Sequence, residues 1–579
     1  MEILTDGLAK RIKVARGIEK ADLAIKNCQI VNVYSHKIEK GDIALCDGKI
    51  AGIGDYSGIQ EIDAKNAYAI PGLIESHIHI ESSFLTPEEF SRLLVPYGTT
   101  TAICDPHEIT NVCGENGLNY MVKAASKAAL DMKFMLPSCV PATPFETSGA
   151  ELSSEELYTS IYKLNIHGLA EFMNFVGVVN CDEECLSKIQ YALDAEKIID
   201  GHAPGLVGKD RQAYISTGVL TDHECSTIQE LEESVRNGMY VELRNGSACH
   251  DLENLLNGVN EQNARRCLLC SDDRQPLTVF EIGDLNNHLK ICVEHGIDPI
   301  TAVQMASLNA AECYRLYDRG ALTAGKRGDI VLVSDLKEFK AEKVFIEGRL
   351  VAENGKYLLP VERINYASVS GSVHVNNFSL ERLRLHLKSE VVKTIKIEKG
   401  SIVTKKGSAK IELTEDGDLK FNPDNNVAKI AVVERHHNTG NIGLGLLENY
   451  GIKRGAIAIT IAHDSHNIIC VGTTNGEMEI AVRELVKIGG GIVLVKNNEI
   501  LDTMALPVAG LMSDKNAELV KDKLLKINSL AVSELGVNPE IEPISTLCFM
   551  SLPVIPELKI TDKGLFDVNK FEFTSIEDC

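Results

Sequence analysis

Short apolar runs that end in a polar or metal-competent residue recur eight times between residues 67 and 274. Each run is followed by a stretch with a helical pattern, and this alternation is typical of parallel strands joined by helices. The predicted strands are AYAIPGLIESHIHI (67–80), TTTAICDPHE (99–108), KFMLPSCVPA (133–142), HGLAEFMNF (167–175), KIIDGHAP (197–204), GVLTDHE (218–224), MYVELRNGS (239–247) and RCLLCSDDR (266–274).

The segments between these runs carry helix start and stop signals. Ser226 precedes TIQELEESVRNG, which stops at Gly238, so we expect Ser226 to cap this helix. Eight strands alternating with helices predict an α/β fold, a (β/α)₈ TIM-like barrel. A doubly wound open sheet is the alternative that periodicity leaves open. The barrel is favoured because ionisable residues lie where the runs end, and barrel enzymes carry their reactive groups at those strand ends.

Strand-like segments with glycine-containing turns flank the predicted barrel on both sides, at residues 20–65 and 320–358. They could pair, so we predict one small β domain from residues 1–66 plus 318–365 and a barrel over residues 67–317. Residues 366–579 mix strand-like and helical runs. They predict a separate C-terminal α/β domain.

Composition excludes several classes of protein. The 59 Lys and Arg against 82 Asp and Glu give a net charge of −23, which argues against a nucleic-acid partner. No uncharged stretch reaches the ~18 apolar residues of a membrane span, and the N-terminus has no apolar signal region. We therefore expect a cytoplasmic protein without a membrane partner. Its 16 cysteines, including Cys267 and Cys270, are then core thiols rather than a disulfide framework.

The first predicted barrel strand ends in His77-Ile78-His79. Residues two apart in a strand face the same side, so both imidazoles can hold one metal ion. Each of the other candidate ligands, Glu171, His202, His223 and Asp272, could by itself be a hydrogen-bonded structural group. Together the set is too large for one four-coordinate ion, and a carboxylate can bridge two ions. The sequence therefore suggests a binuclear site built from His77, His79, Glu171, His202, His223 and Asp272.

The chain resembles the amidohydrolase superfamily and, within it, the bacterial adenine deaminase family. The superfamily motif of HxH, a bridging acid, two single histidines and an aspartate matches the six candidate ligands. The narrower family resemblance is carried by HIHIESS, DPHE, GLAEFMN, DGHAPG, TDHE and SDDRQP, and by the C-terminal SLPVIPELKITDKGLFDV. Many binuclear relatives bridge their ions with a carboxylated lysine, whereas this chain has Glu171 there, as adenine deaminases do.

The resemblance implies a metal-dependent aminohydrolase of purine salvage that converts adenine to hypoxanthine and ammonia. Two divalent ions per chain, Mn or Fe with Zn as a possibility, would supply hydroxide that attacks C6 of adenine. Asp272 would ligate one ion and also move the released proton. Asp105, His107 and Glu108 are candidates for binding the purine, His107 and Glu108 also for protonating it, and Arg274 is a further binding candidate. We expect a homo-oligomer such as a dimer.

Three alternatives stay open at this point. The first is hydrolysis of a cyclic amide, as in dihydroorotase-like relatives, which use their metal ions in the same way. A catalytically silent assembly protein on the same barrel is another, although such a chain should have lost ligands. In the C-terminal part, IAHDSHN contains His463, Asp464 and His466. This segment could cover the barrel mouth or bind a further metal, but we expect a surface loop.

Overall fold

The computed structural model describes residues 5–163, 166–399 and 401–577. The outermost residues of the predicted outer domains, 1–4 and 578–579, lie outside the described residues. The described chain begins with one helix and five strands: α1 (Asp6–Ala15), β1 (Ala21–Asn32), β2 (Lys37–Cys46), β3 (Lys49–Gly54), β4 (Gly58–Asp63) and β5 (Tyr68–Pro71).

Strands and helices then alternate to residue 313. They are β6 (Leu73–His79), α2 (Pro87–Leu94), β7 (Thr99–Cys104), α3 (His107–Cys113), α4 (Glu115–Ala125), β8 (Asp131–Leu136), α5 (Ser154–Lys163), β9 (Gly168–Phe172), α6 (Phe175–Val179), α7 (Glu183–Asp194), β10 (Ile198–Gly201), α8 (Gly208–Ser216), β11 (Thr221–Asp222), α9 (Ile228–Arg236), β12 (Tyr240–Arg244), α10 (Leu252–Leu256), β13 (Cys267–Cys270), β14 (Asp272–Asp273), α11 (Pro276–Ile282), α12 (Leu285–Glu294), α13 (Pro299–Met305) and α14 (Leu308–Cys313).

Four strands follow this region: β15 (Ile330–Val333), β16 (Ala341–Ile346), β17 (Arg349–Glu353) and β18 (Lys356–Tyr357). The C-terminal part then contains β19 (Val391–Ile397), β20 (Thr404–Lys410), β21 (Glu412–Leu413), β22 (Leu419–Lys420), β23 (Val427–Val433), β24 (Ile442–Glu448), β25 (Ala456–Ile459), β26 (Ile468–Gly472), α15 (Asn475–Lys487), β27 (Gly491–Lys496), β28 (Glu499–Ala505), α16 (Ala517–Ser533), α17 (Pro543–Cys548), β29 (Leu558–Thr561), β30 (Gly564–Asp567) and β31 (Glu572–Phe573).

The predicted barrel-type α/β fold is confirmed. Strands pair in parallel in the orders β10-β9-β8-β7-β6-β14 and β11-β12-β13. The two arcs meet where Leu220 N donates to Ile199 O at 2.9 Å, and where β13 runs into β14 beside β6. The strands are short and almost wholly buried, as expected when helices cover the outside of a parallel sheet. Cys267 and Cys270 are free, buried thiols in β13.

The first predicted strand is two strands in the structure. Tyr68–Pro71 pairs with β1 and β15 in a nine-stranded sheet made from both flanks, and only Leu73–His79 belongs to the barrel. Gly72 separates them, and a Cβ there would lie 2.2 Å from the Thr100 hydroxyl, so the close approach requires glycine. The domain boundaries at residues 66, 317 and 365 stay a prediction.

The helix after the sixth barrel strand begins one residue later than expected. Thr227, not Ser226, caps α9, because its hydroxyl accepts a hydrogen bond from Glu230 N while Glu230 reaches back to Thr227 N. This reciprocal pair is a capping box. The sequence T-x-x-E indicates this capping box, but the serine directly before it is also a common N-cap residue.

The C-terminal part is built on an eight-stranded sheet of order β20-β19-β24-β23-β26-β25-β27-β28, with α15 packed against it. The loop from β25 to β26 spans residues 460–467 and is buried against the barrel. Among the described residues, no helix has both the length and the apolar character needed to span a membrane.

Candidate active site

The six predicted ligands converge at the carboxyl ends of the barrel strands. Each lies at the end of a strand or directly after it, because the apolar strand stops where the barrel core meets the cavity. All six are at least nine-tenths buried: His77, His79, Glu171, His202, His223 and Asp272.

The two oxygens of Glu171 face two different groups of side chains. Oε1 lies 3.9 Å from His77 Nε2 and 3.3 Å from His79 Nε2. Oε2 lies 2.7 Å from His202 Nδ1 and 3.4 Å from His223 Nε2. Asp272 Oδ1 joins the first group, at 3.2 Å from His79 Nε2. A carboxylate divided in this way has the arrangement of a bridging ligand between two ions.

The imidazole of His79 is oriented for ligation by its other nitrogen. Its Nδ1 lies 3.1 Å from the carbonyl oxygen of Asp105, and an N–H donated there leaves Nε2 as the nitrogen that faces Glu171 and Asp272. A backbone carbonyl behind a histidine is a common support for a metal ligand. Asp272 has φ +62°, in the left-handed region that aspartate tolerates better than most residues. Strain of this kind is concentrated at functional sites.

The donor set fits divalent metal ions. Imidazole and carboxylate groups lie close enough together to share an ion, and the buried nitrogens His202 Nε2 and His223 Nδ1 have no hydrogen-bond partner among the described residues. Burial opposes ionisation of Glu171, but hydrogen bonds from His202, His223 and His79 outweigh it and hold its pKa well below the usual range. An ionised carboxylate among neutral imidazoles is the form that binds a metal ion.

The DPHE loop contributes His107 and Glu108 to the cavity, whereas Asp105 lies behind His107. Asp105 accepts hydrogen bonds from the backbone N and from Nδ1 of His107, both at 3.0 Å. These bonds direct His107 Nε2 towards the cavity. The structure therefore does not bring Asp105 to the position of a direct purine contact, because both its oxygens are occupied by its neighbour.

The segment His463–His466 is not a surface loop, so that prediction was wrong. His463 Nδ1 lies 2.6 Å from Glu108 Oε1, and His466 Nε2 contacts Glu108 Oε2. The ring of His463 stacks on Phe549 with 4.6 Å between centroids. The C-terminal part thus closes the barrel mouth and holds both oxygens of the cavity carboxylate Glu108. Burial opposes ionisation of Glu108, but the interactions with His463, His466 and His107 outweigh it and keep its pKa well below the usual range.

Glu108, His463 and His466 could also be considered as ligands of a further ion. The hydrogen bonding of His466 argues against this. Its Nδ1 accepts a hydrogen bond from Ala462 N at 3.1 Å, so in the neutral ring the proton is on Nε2. Burial lowers the pKa of His466 to about 4, so the ring is neutral at pH 7. Nε2 then donates to Glu108 and has no lone pair for a metal.

Arg274 lies outside the cavity, contrary to the sequence prediction. Its guanidinium is fully buried near Asp284 and His288, with Nε 3.6 Å from Asp284 Oδ1. It follows Asp272 and Asp273 in the chain, but the backbone turns after the strand and sends this side chain behind the barrel wall. Adjacency in sequence was therefore a misleading signal.

Three polar residues of the cavity were missed in the sequence: Glu224, Arg244 and Asp273. Arg244 ends β12 and makes ion pairs with Glu224 and with Asp272, the latter at 2.9 Å between Nη1 and Oδ2. The strand-end rule would have found Arg244, and Glu224 is the last residue of the TDHE motif. The apolar lining residues come mainly from the C-terminal part: Met173, Ile402, Phe549, Leu552 and Ile555.

Lys559 supports two of these apolar lining residues. Its Nζ donates to Ile402 O at 2.8 Å and to Phe549 O at 3.0 Å, and the side chain is fully buried. Burial lowers the pKa of Lys559 to about 7. The ammonium is therefore easily deprotonated in the folded protein.

The stability of the protein relative to Lys559→Met is expected to increase between pH 7 and pH 10. In that range the unfolded chain binds a proton at Lys559 that the folded chain does not, so a rise in pH favours folding by up to about 1.4 kcal/mol per pH unit. Urea unfolding followed by circular dichroism at several pH values measures the difference. The control is Lys563→Met, since the exposed Lys563 also donates to two carbonyls. The prediction would be contradicted if the difference in stability between the wild type and Lys559→Met did not change with pH.

The chain matches two family models, amidohydrolase family over residues 68–351 and adenine deaminase C-terminal domain over residues 401–572. It is 52% identical to Adenine deaminase 2 of Desulfotalea psychrophila, over 99% of both chains. It is 48% identical to the adenine deaminase of Ligilactobacillus salivarius, with 98% of this chain and 99% of the relative covered. The adenine deaminase of Clostridium acetobutylicum is 45% identical over the same shares.

Proposed function

The chain belongs to the adenine deaminase family of the amidohydrolases, and from this premise we propose that it deaminates adenine hydrolytically to hypoxanthine and ammonia, a reaction of purine salvage. The observation that carries the proposal is the division of Glu171 between two groups of ligands, His77 with His79 and His202 with His223. Such a centre suits hydrolysis at an electron-poor ring carbon.

Two divalent ions fit this ligand set. The first would be held by His77, His79, Asp272 and one oxygen of Glu171, and the second by His202, His223 and the other oxygen. Mixed imidazole and carboxylate ligands suit Mn, Fe and Zn, and the family resemblance favours Mn or Fe. When bound, the ions lower the pKa of water from about 15.7 to about 7 and make hydroxide available near neutral pH.

The cavity residues supply proton transfer. Addition of water at C6 and loss of ammonia require that a proton released by the water reaches the departing nitrogen. Asp272 is suited to move it, because its carboxylate lies at the ligand cluster while Arg244 holds its other oxygen. His107 Nε2 faces the cavity 3.4 Å from Glu108 Oε1, so His107 is suited to hold the purine and to protonate a ring nitrogen. Glu108, ionised and bound by His463 and His466, supports the protonated form of this imidazole.

The apolar lining suits a flat heteroaromatic base. Phe549, Leu552 and Ile555 come from the C-terminal part and line the same cavity as the ligand cluster. Small-molecule sites commonly combine apolar walls with a few placed polar groups. A neutral base needs no electrostatic capture, which is compatible with the net charge of −23. The homo-oligomer and the cytoplasmic location stay predictions.

Ammonia release from adenine tests this function. The protein is loaded with Mn²⁺ or Fe²⁺ and incubated in parallel with adenine and with cyclic amides such as dihydroorotate. We expect ammonia and hypoxanthine from adenine and no opening of the cyclic amides. Opening of a cyclic amide without ammonia from adenine would favour the dihydroorotase-like alternative. Less than one ion per chain after loading would favour a silent assembly protein.

A further inference from the structure

We propose that Asp464, a residue of the C-terminal part, recognises the ring N–H of the purine and makes the site selective for the free base. This inference rests on the proposed function. Asp464 is 3% exposed and lines the same cavity as His107 and the predicted metal ligands. Its Oδ1 lies 3.7 Å from His107 Nε2, on the side of that ring away from Glu171.

Among the described residues, Asp464 is the cavity carboxylate that has an acceptor oxygen without a hydrogen-bond donor. Its Oδ2 is buried and has no hydrogen-bond partner among the described residues. The other carboxylates that line the cavity are engaged: Glu108 with His463 and His466, Glu171 and Asp272 with the imidazole cluster, Glu224 with Arg244, and Asp273 with Ser82. A buried carboxylate oxygen without a donor is unfavourable, so a ligand N–H there would be strongly stabilising.

The backbone around Asp464 is held in place. His463 N donates to Cys548 O at 2.9 Å, and His466 N donates to Ala462 O at 2.7 Å. The side chains of His463 and His466 are fixed on Glu108. Asp464, between them, is therefore presented to the cavity in one position before any ligand binds, which reduces the entropic cost of binding.

The chemistry of adenine identifies the group that Asp464 would meet. Its N–H donors are the amino group on C6 and one N–H of the five-membered ring, and its other ring nitrogens are acceptors. C6 is the carbon that is attacked, so the amino group must face the cluster around Glu171. The remaining donor is the ring N–H, and Asp464 lies one imidazole ring further from Glu171. A nucleoside carries a sugar on that ring and lacks this N–H.

The test compares adenine with an aminooxazolopyrimidine, in which oxygen replaces the ring N–H while the amino group and the other ring nitrogens are kept. We expect Asp464→Ala to lower kcat/KM for adenine by about 10- to 100-fold, the range for a hydrogen bond to a charged group. The loss should be mainly in KM, because this bond is made equally in the ground state and the transition state. For the oxygen analogue the expected change is less than about twofold.

Asp464→Asn keeps the shape of the side chain and guards against misfolding of the alanine variant. This variant should lose part of the preference for adenine over the oxygen analogue. The matched control is Asp562→Asn, because Asp562 is a buried aspartate of the same part that binds Thr147 outside the cavity. This control should keep the wild-type ratio between the two substrates. Circular dichroism and metal content are measured for every variant.

The outcomes separate the inference from the proposed function. If the wild-type protein releases no ammonia from adenine, the proposed function is wrong and the inference falls with it. The wild-type protein could instead be active while the Asp464 variants lose kcat/KM by the same factor on both substrates, or lose none on adenine. Either result would show that Asp464 does not recognise the ring N–H. A selective loss on adenine supports the inference.

Discussion

Glu171→Gln is expected to abolish most turnover and to leave no more than one tightly bound ion per chain. Glutamine keeps the shape of the side chain but carries no charge, and it replaces one acceptor oxygen with an NH₂ donor. One of the two groups that Glu171 now contacts, His77 with His79 or His202 with His223, would then face a donor. Supporting residues around metal sites already cost 10- to 100-fold when lost, so we expect a fall in kcat above about 100-fold.

Metal analysis after gel filtration and steady-state kinetics with adenine check this prediction. Glu230→Gln is the matched control, because Glu230 is also a buried glutamate of the barrel but caps α9 through Thr227. The control should bind metal as the wild type does. Retention of two ions and of full kcat by Glu171→Gln would remove Glu171 from the bridge.

Asp272→Asn is expected to lower kcat by about 10²- to 10⁴-fold, the range for loss of a general acid or base. Asparagine also tolerates the φ of +62° at this position, so the backbone should be unchanged. Arg244 donates to Asp272 Oδ2, and the amide oxygen would be retained there. The NH₂ group would then point at His79, where it can neither ligate a metal ion nor accept a proton.

Kinetics and metal content with excess Mn²⁺ separate the two roles of Asp272. If excess metal restores both ions without restoring kcat, proton transfer is the lost function. Asp284→Asn is the control, since Asp284 is also a buried aspartate of the barrel but accepts a hydrogen bond from Thr99 outside the cavity. Near-wild-type kcat for Asp272→Asn would show that another group moves the proton.

Much of the barrel half of the site could be predicted because it follows from local patterns. The alternation of side chains along a strand places His77 and His79 together, and the ends of parallel strands meet at one face of a barrel. The same rule points to Arg244 at the end of β12. Arg274 was misplaced because a turn after β14 changes the direction of the side chain, which residue spacing does not reveal.

The C-terminal half of the site could not be predicted from local pattern. His463 and His466 lie more than 350 residues from Glu108 in the chain, and only tertiary packing brings them together. The signal that was present is the concentration of ionisable residues in IAHDSHN between two buried strands, β25 and β26. A polar loop is usually solvated, but apolar strands on both sides favour a buried position.

The most direct test of a two-ion centre that acts on a purine is a crystal structure of the protein grown with Mn²⁺ and hypoxanthine, with data collected near the Mn absorption edge. We predict two anomalous peaks, one among His77, His79 and Asp272 and one between His202 and His223, with an oxygen of Glu171 at each. The purine should lie with C6 towards Glu171 and with its ring N–H towards Asp464. A single peak, or two peaks that do not share Glu171, would contradict the account.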